Sequence, residues 1–166
     1  MGMEAFRREA HQAGRNEGPA LLFDWWYGHM LTVEELRVLL PEVWELAEFP
    51  AASLGRATWI DLFRMAGYCS SPPGLPAPVG PLTVYRGCTR GRQRAMSWTT
   101  GLSQARWFAQ RFTLVLGKPS MVVTMEVPPA LVLARCEGRD GGPGTEAEIV
   151  VDCLAIPRGA IRPVDR

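Results

Sequence analysis

Two carboxylates one residue apart, Glu146 and Glu148, open the apolar run Ile149-Val150-Val151 near the end of a 166-residue chain. In a strand, side chains alternate, so Glu146, Glu148, Val150 and Asp152 share one face and Ala147, Ile149, Val151 and Cys153 the other. Like charges held that close repel and raise a pKa, a cost that points to chemistry; a solvated strand end is the equal alternative. Two other polar interruptions stand in β-rich sequence. Arg86 lies in Tyr85-Arg86-Gly87 at the end of the strand-like Leu82-Thr83-Val84-Tyr85, and Ser97 and Thr99 flank Trp98 within Met96–Thr100. Each has a plain reading taken singly: a surface charge, local hydroxyl hydrogen bonds, a chance Glu-x-Glu.

Positioning these groups falls to residues 82–166, where the hydrophobic pattern is strand-like. Met121–Val127 and Ala130–Ala134 read as strands separated by Pro128-Pro129, and Ile161–Val164 as a closing strand. Between Met96–Thr100 and those strands, Ser103 is placed to cap a helix whose Ala105, Phe108, Ala109 and Phe112 form a core stripe. The glycine-rich segment from Glu137 to Gly144 leads into Glu146 and is either a substrate-selecting loop or a plain connection. Thr89-Arg90-Gly91-Arg92-Gln93-Arg94 places three arginines beside Arg86, as a solvated loop or a contact to phosphates.

Residues 1–70 follow a helical period. Met1 to about Gly18 suits a short surface helix or a frayed end, and Leu21–Tyr27 is aromatic enough to pack a core or a helix interface. Thr32 and Glu35 have the spacing of a capping box, with Leu31 and Leu36 as its staple. Pro41 is expected to end or kink that helix, with Val43, Trp44 and Ala47 restarting the pattern. Thr58 is expected to cap a third helix that runs to Gly67. The Pro/Gly-rich residues 71–81 form a connector, so the chain is one α+β domain in which a helical N-terminal part packs on a mixed or antiparallel β-sandwich core.

Composition narrows the function classes. A chain 47% hydrophobic is able to build a core, and its net charge of +1 gives no global attraction to nucleic acid, an anionic membrane or acidic substrates. Cys69, Cys88, Cys136 and Cys153 lack CxxC spacing and only His11 and His29 could assist them, so no metal site is expected. Without a signal peptide or a transmembrane run, the expected location is cytoplasmic, with reduced thiols and no membrane partner.

Taken in order, Tyr85-Arg86-Gly87, then Ser97-Trp98-Thr99 before a helix carrying Ala105-Arg106-Trp107-Phe108-Ala109, then Glu146-Ala147-Glu148 resembles the Arg, Ser-x-Thr, Glu-x-Glu class of mono-ADP-ribosyltransferases. The resemblance spans residues 82–166 and departs at Trp98 and Thr99, where Ser-Thr-Ser is commoner. It implies a β-sandwich of the ADP-ribosyltransferase type, with NAD as substrate and no metal. Glu148 would be the catalytic glutamate, Arg86 the group holding the pyrophosphate or adjoining ribose, and Ser97, with Thr99, the group orienting Glu148 or the ribose. Tyr85, Gly87, Trp98 and Thr99 would complete the NAD site, with Trp107 and Phe108 as further walls or as core. Glu146 would receive the acceptor, most often arginine on a protein. The implied role is a bacterial toxin, defence or phage-related effector, with an antitoxin or immunity protein as an implied partner. Alternatives are transfer to a nucleic-acid base, NAD hydrolysis, and a non-enzymatic protein-binding module.

Overall fold

The computed structural model describes residues 2–137 and 147–164, and the chain separates into two compact units at Leu75/Pro76, inside the 71–81 connector. The molecule is α+β, and no described helix is long and apolar enough to cross a membrane.

The first unit holds helices α1 (Gly2–Ala13), α2 (Gly18–Tyr27), α3 (Val33–Leu46), α4 (Pro50–Ser53) and α5 (Arg56–Ala66), then the short strand β1 (Cys69–Ser71). Its core is Phe6, Leu22, Leu36, Leu39, Leu40, Trp44, Trp59, Leu62 and Phe63, all buried. The aromatic density of α2 is spent on helix packing, with Trp25 edge-on to Phe6 at 5.6 Å. At the start of α3, Thr32 Oγ1 accepts the Glu35 amide at 3.2 Å and Glu35 Oε2 accepts the Thr32 amide at 3.0 Å. Glu35 Oε1 also accepts the Met3 amide at 3.2 Å. These amide bonds, that from Thr32 foremost, hold the Glu35 carboxyl below its ordinary pKa against a desolvation that acts the other way. Its contribution is therefore present above the ordinary carboxylate pKa and lost as pH falls through the depressed one. Thr32→Ala is expected to destabilise this unit by about 1 kcal/mol, read from urea unfolding followed by tryptophan fluorescence.

One expectation narrows and one fails in this unit. Of the two outcomes expected at Pro41, the helix does not end there, because α3 runs through it to Leu46 with buried Leu39, Leu40, Val43 and Trp44 on either side. A core face shared across the proline outweighs the lost amide bond. Thr58 is not a cap: α5 begins at Arg56 after Gly55, whose φ of 80° supplies the turn that a side chain would disfavour.

The second unit contains β2 (Leu82–Thr89), β3 (Ser97–Thr99), α6 (Leu102–Leu116), β4 (Ser120–Val127), a 3₁₀ turn at Pro129–Leu131, β5 (Val132–Cys136), β6 (Glu148–Val151) and β7 (Arg162–Pro163). Its strands lie in the order β5-β6-β3-β2-β4-β7, and the paired registers are antiparallel. Arg86 and Gly87 sit inside β2 rather than at its end, since pairing with β4 continues to Thr89↔Ser120. Ser103 does not cap α6; Gly101 is the N-cap, and its amide donates to Thr99 Oγ1 at 3.1 Å.

The stripe on α6 is only partly core. Ala105 and Ala109 are buried, whereas Phe108 is 37% exposed and stacks on Phe112. The cause is Gly87: a Cβ there would stand 2.5 Å from the Ala109 amide nitrogen and on the Ala105 carbonyl oxygen. The helix lies so close to β2 that only alanines fit the contact, which pushes the phenylalanines to its flank.

Candidate active site

Sheet order makes neighbours of three segments far apart in sequence. β2 carrying Arg86, β3 carrying Ser97 and Thr99, and β6 opening on Glu148 lie side by side. Because β6 runs between β3 and β5, it is an interior strand, and Ile149, Val150 and Val151 are buried on both faces. Glu148 is its half-buried first residue. Glu146 and most of the Glu137–Gly144 segment lie outside the described residues.

The register decides which hydroxyl meets the carboxylate. Thr99 pairs with Glu148, Trp98 with Ile149 and Ser97 with Val150. The Thr100 amide donates to Ala147 O at 3.1 Å and the Val151 amide to Met96 O at 2.8 Å. Even-numbered residues of β3 therefore spend their backbone groups on β6, which makes Thr99–Glu148 a non-hydrogen-bonded pair, the kind with the closer side chains. Ser97 is on the same face but one step along, diagonal to Glu148. Trp98 points to the opposite face, buried, with Nε1 donating to Ala95 O at 2.8 Å. Tyr85 is half-buried and in register with Thr99.

Arg86 enters by another route. β2 and β3 pair only at Tyr85↔Thr99, and a continued ladder would set Ser97 against Gly87. The Ser97 carbonyl instead accepts Arg86 Nη1 at 2.7 Å, while Nε donates to Arg92 O at 3.3 Å. The guanidinium occupies the place where the ladder stops, and Nη2 has no acceptor among the described residues. Its strand neighbours on that face, Val84 and Cys88, and Val123 across the ladder are buried. That burial pulls the Arg86 pKa down, and nearby Cys88, Glu148 and Cys153 oppose it. Burial pushes the Cys88 thiol up, and the Arg86 guanidinium acts against that rise. The site thus holds a fixed donor fork on β2 and a half-buried carboxylate on β6, with β3 between them.

No protein-family model, curated protein or solved structure matches the chain.

Other residues take places that local pattern did not reveal. Arg94 is a strut, with Nη1 donating to Cys153 O at 3.1 Å and Ile156 O at 2.7 Å. Asp152 turns the chain after β6, its Oδ1 accepting the amides of Leu154 and Ala155, both at 3.2 Å. Trp107 and Phe108 pack on each other at 5.0 Å on the flank of α6, away from the core. All four cysteines are buried and none is in a disulfide, and burial pushes the Cys69 thiol up to about 12. No group of His, Cys, Asp and Glu able to hold a metal occurs among the described residues.

Proposed function

We propose that the second unit is an NAD-dependent mono-ADP-ribosyltransferase, with its fold that of the ADP-ribosyltransferases. One observation carries this: the Arg, Ser-x-Thr and Glu segments, 11 and 51 residues apart from one to the next, lie on three adjacent strands with Arg86 locked to Ser97 O. The donor set suits a dinucleotide. Nη2 of Arg86 is available for a phosphate or ribose oxygen, and a guanidinium keeps its charge despite burial. NAD supplies a nicotinamide–ribose bond whose cleavage builds positive charge on the sugar, as in glycoside hydrolysis. Glu148 stabilises that charge and holds a ribose hydroxyl, and its half-burial strengthens the attraction. Thr99 positions the carboxylate: its Oγ1 accepts the Gly101 amide, which leaves the hydroxyl proton to donate across the pair.

The acceptor is a macromolecule, with protein arginine favoured by Glu146 two residues before Glu148. Incubation with NAD labelled in the adenylate, in a cell lysate, measures nicotinamide release and label retained on protein or nucleic acid. Nicotinamide with protease-sensitive label is expected. Nicotinamide without label would make the protein an NAD glycohydrolase, and neither product would end the proposal. Within it, Thr99→Val is expected to lower kcat for nicotinamide release about tenfold at similar KM, and Ser97→Ala, diagonal to the carboxylate, to lower it less.

A further inference from the structure

The net charge of +1 conceals an asymmetry: residues 76–166 carry twelve Lys and Arg against seven Asp and Glu, and residues 1–75 carry six against ten. The excess gathers at one place in the second unit. Thr89-Arg90-Gly91-Arg92 is a tight turn, with the Arg92 amide donating to Thr89 O at 3.1 Å and Gly91 at φ 84°. Glycine takes that conformation without strain, so the turn presents exposed arginines on either side of it. Arg90 and Arg92, with Lys118 from the turn between α6 and β4, line a cavity of 540 Å³ that is completed by Thr89, Pro119, Ser120 and Met121. Ser120 and Met121 also wall a second cavity, of 310 Å³, which holds Arg106. No carboxylate among the described residues lines either one. Arg90, Arg92, Lys118 and Arg106 form no salt bridge with a described residue. Arg94, the third arginine of the same tract, is committed to backbone carbonyls and takes no part.

Four exposed cations around two adjoining hollows, with no acid among the described lining residues, suit a row of phosphates rather than a single anion. We propose that this surface binds the phosphodiester backbone of single-stranded nucleic acid, independently of any NAD chemistry. No aromatic side chain stands among the lining residues to stack a base, so the contacts offered are those of cations to the backbone.

The test is fluorescence anisotropy with a labelled 20-nucleotide RNA of mixed sequence, titrated with the intact protein between 50 and 200 mM KCl. Three to four phosphate contacts on a single strand predict an affinity that falls about 20- to 50-fold over that range. Replacing Arg90, Arg92 and Lys118 together by alanine is expected to flatten this fall to about threefold and to weaken binding at least tenfold at 50 mM. Lys118→Gln alone should reduce the log–log salt slope by about 0.7. The three side chains are exposed, and an unchanged far-UV spectrum checks that the variants fold. No binding at 50 mM salt, wild-type binding by the triple variant, or displacement of the RNA by millimolar NAD would each overturn the proposal, the last by giving the cations to the dinucleotide.

Discussion

Gly87→Ala is expected to destabilise the second unit by about 3 kcal/mol. The new carbon would stand on the Ala105 carbonyl oxygen, 2.5 Å from the Ala109 amide nitrogen and 3.1 Å from Phe108 Cβ. Two of those are backbone atoms inside a helical turn, so no rotamer relieves the contact; α6 must lift from β2 or the strand must bend. Either response uncovers Ala105 and Ala109 and disturbs the adjoining Arg86. In thermal denaturation the transition should move down by about 10–20 °C. Gly80→Ala is the control, because nothing lies within 4 Å of its added carbon and its φ is not positive. It should leave the midpoint within a few degrees, or raise it slightly by restricting the unfolded chain. A Gly87→Ala protein as stable as wild type would mean that α6 does not rest on β2 as described.

That contact marks the boundary of what the sequence makes legible. Features fixed within one turn or one strand are readable: the Thr32–Glu35 box, the Ser97-x-Thr99 alternation and the connector around Leu75 follow from residue chemistry at short range. Features fixed by a partner are not. Gly87 is an ordinary strand glycine until α6 is laid on it, and Phe108 and Phe112 count as core by spacing yet sit on a flank because the helix is too close to admit them. Pro41 breaks a helix considered alone but is overruled by the core on both sides of it. Arg94 bonds carbonyls 59 and 62 residues away, which no local pattern encodes. For the candidate site, the residue types are visible in sequence and their partners are not. That Thr99 rather than Ser97 stands opposite Glu148 requires the register, and that Arg86 reaches Ser97 O requires β2 and β3 to stop pairing after one pair.

Glu148→Gln carries the largest expected effect on activity. The amide keeps the size of the carboxylate and one acceptor oxygen, so it can still meet a ribose hydroxyl across from Thr99; what it loses is the negative charge. If Glu148 works by stabilising positive charge on the sugar, the loss falls on the transition state and not on binding. The kcat for nicotinamide release should then drop about 10²- to 10³-fold with KM nearly unchanged. A purely structural role predicts something different. Glu148 contributes to the field at the half-buried Arg86, so neutralising it should cost some stability whatever its function, seen as a lower melting temperature. The two effects separate because Glu148→Asp restores the charge but shortens the side chain by one methylene. It should recover stability more fully than activity, since the Arg86 charge tolerates displacement and an aligned hydroxyl does not. If Glu148→Gln releases nicotinamide at the wild-type rate, Glu148 is not the catalytic carboxylate. If it does so while melting lower, the carboxylate is a counter-charge for Arg86 and the chemistry lies elsewhere.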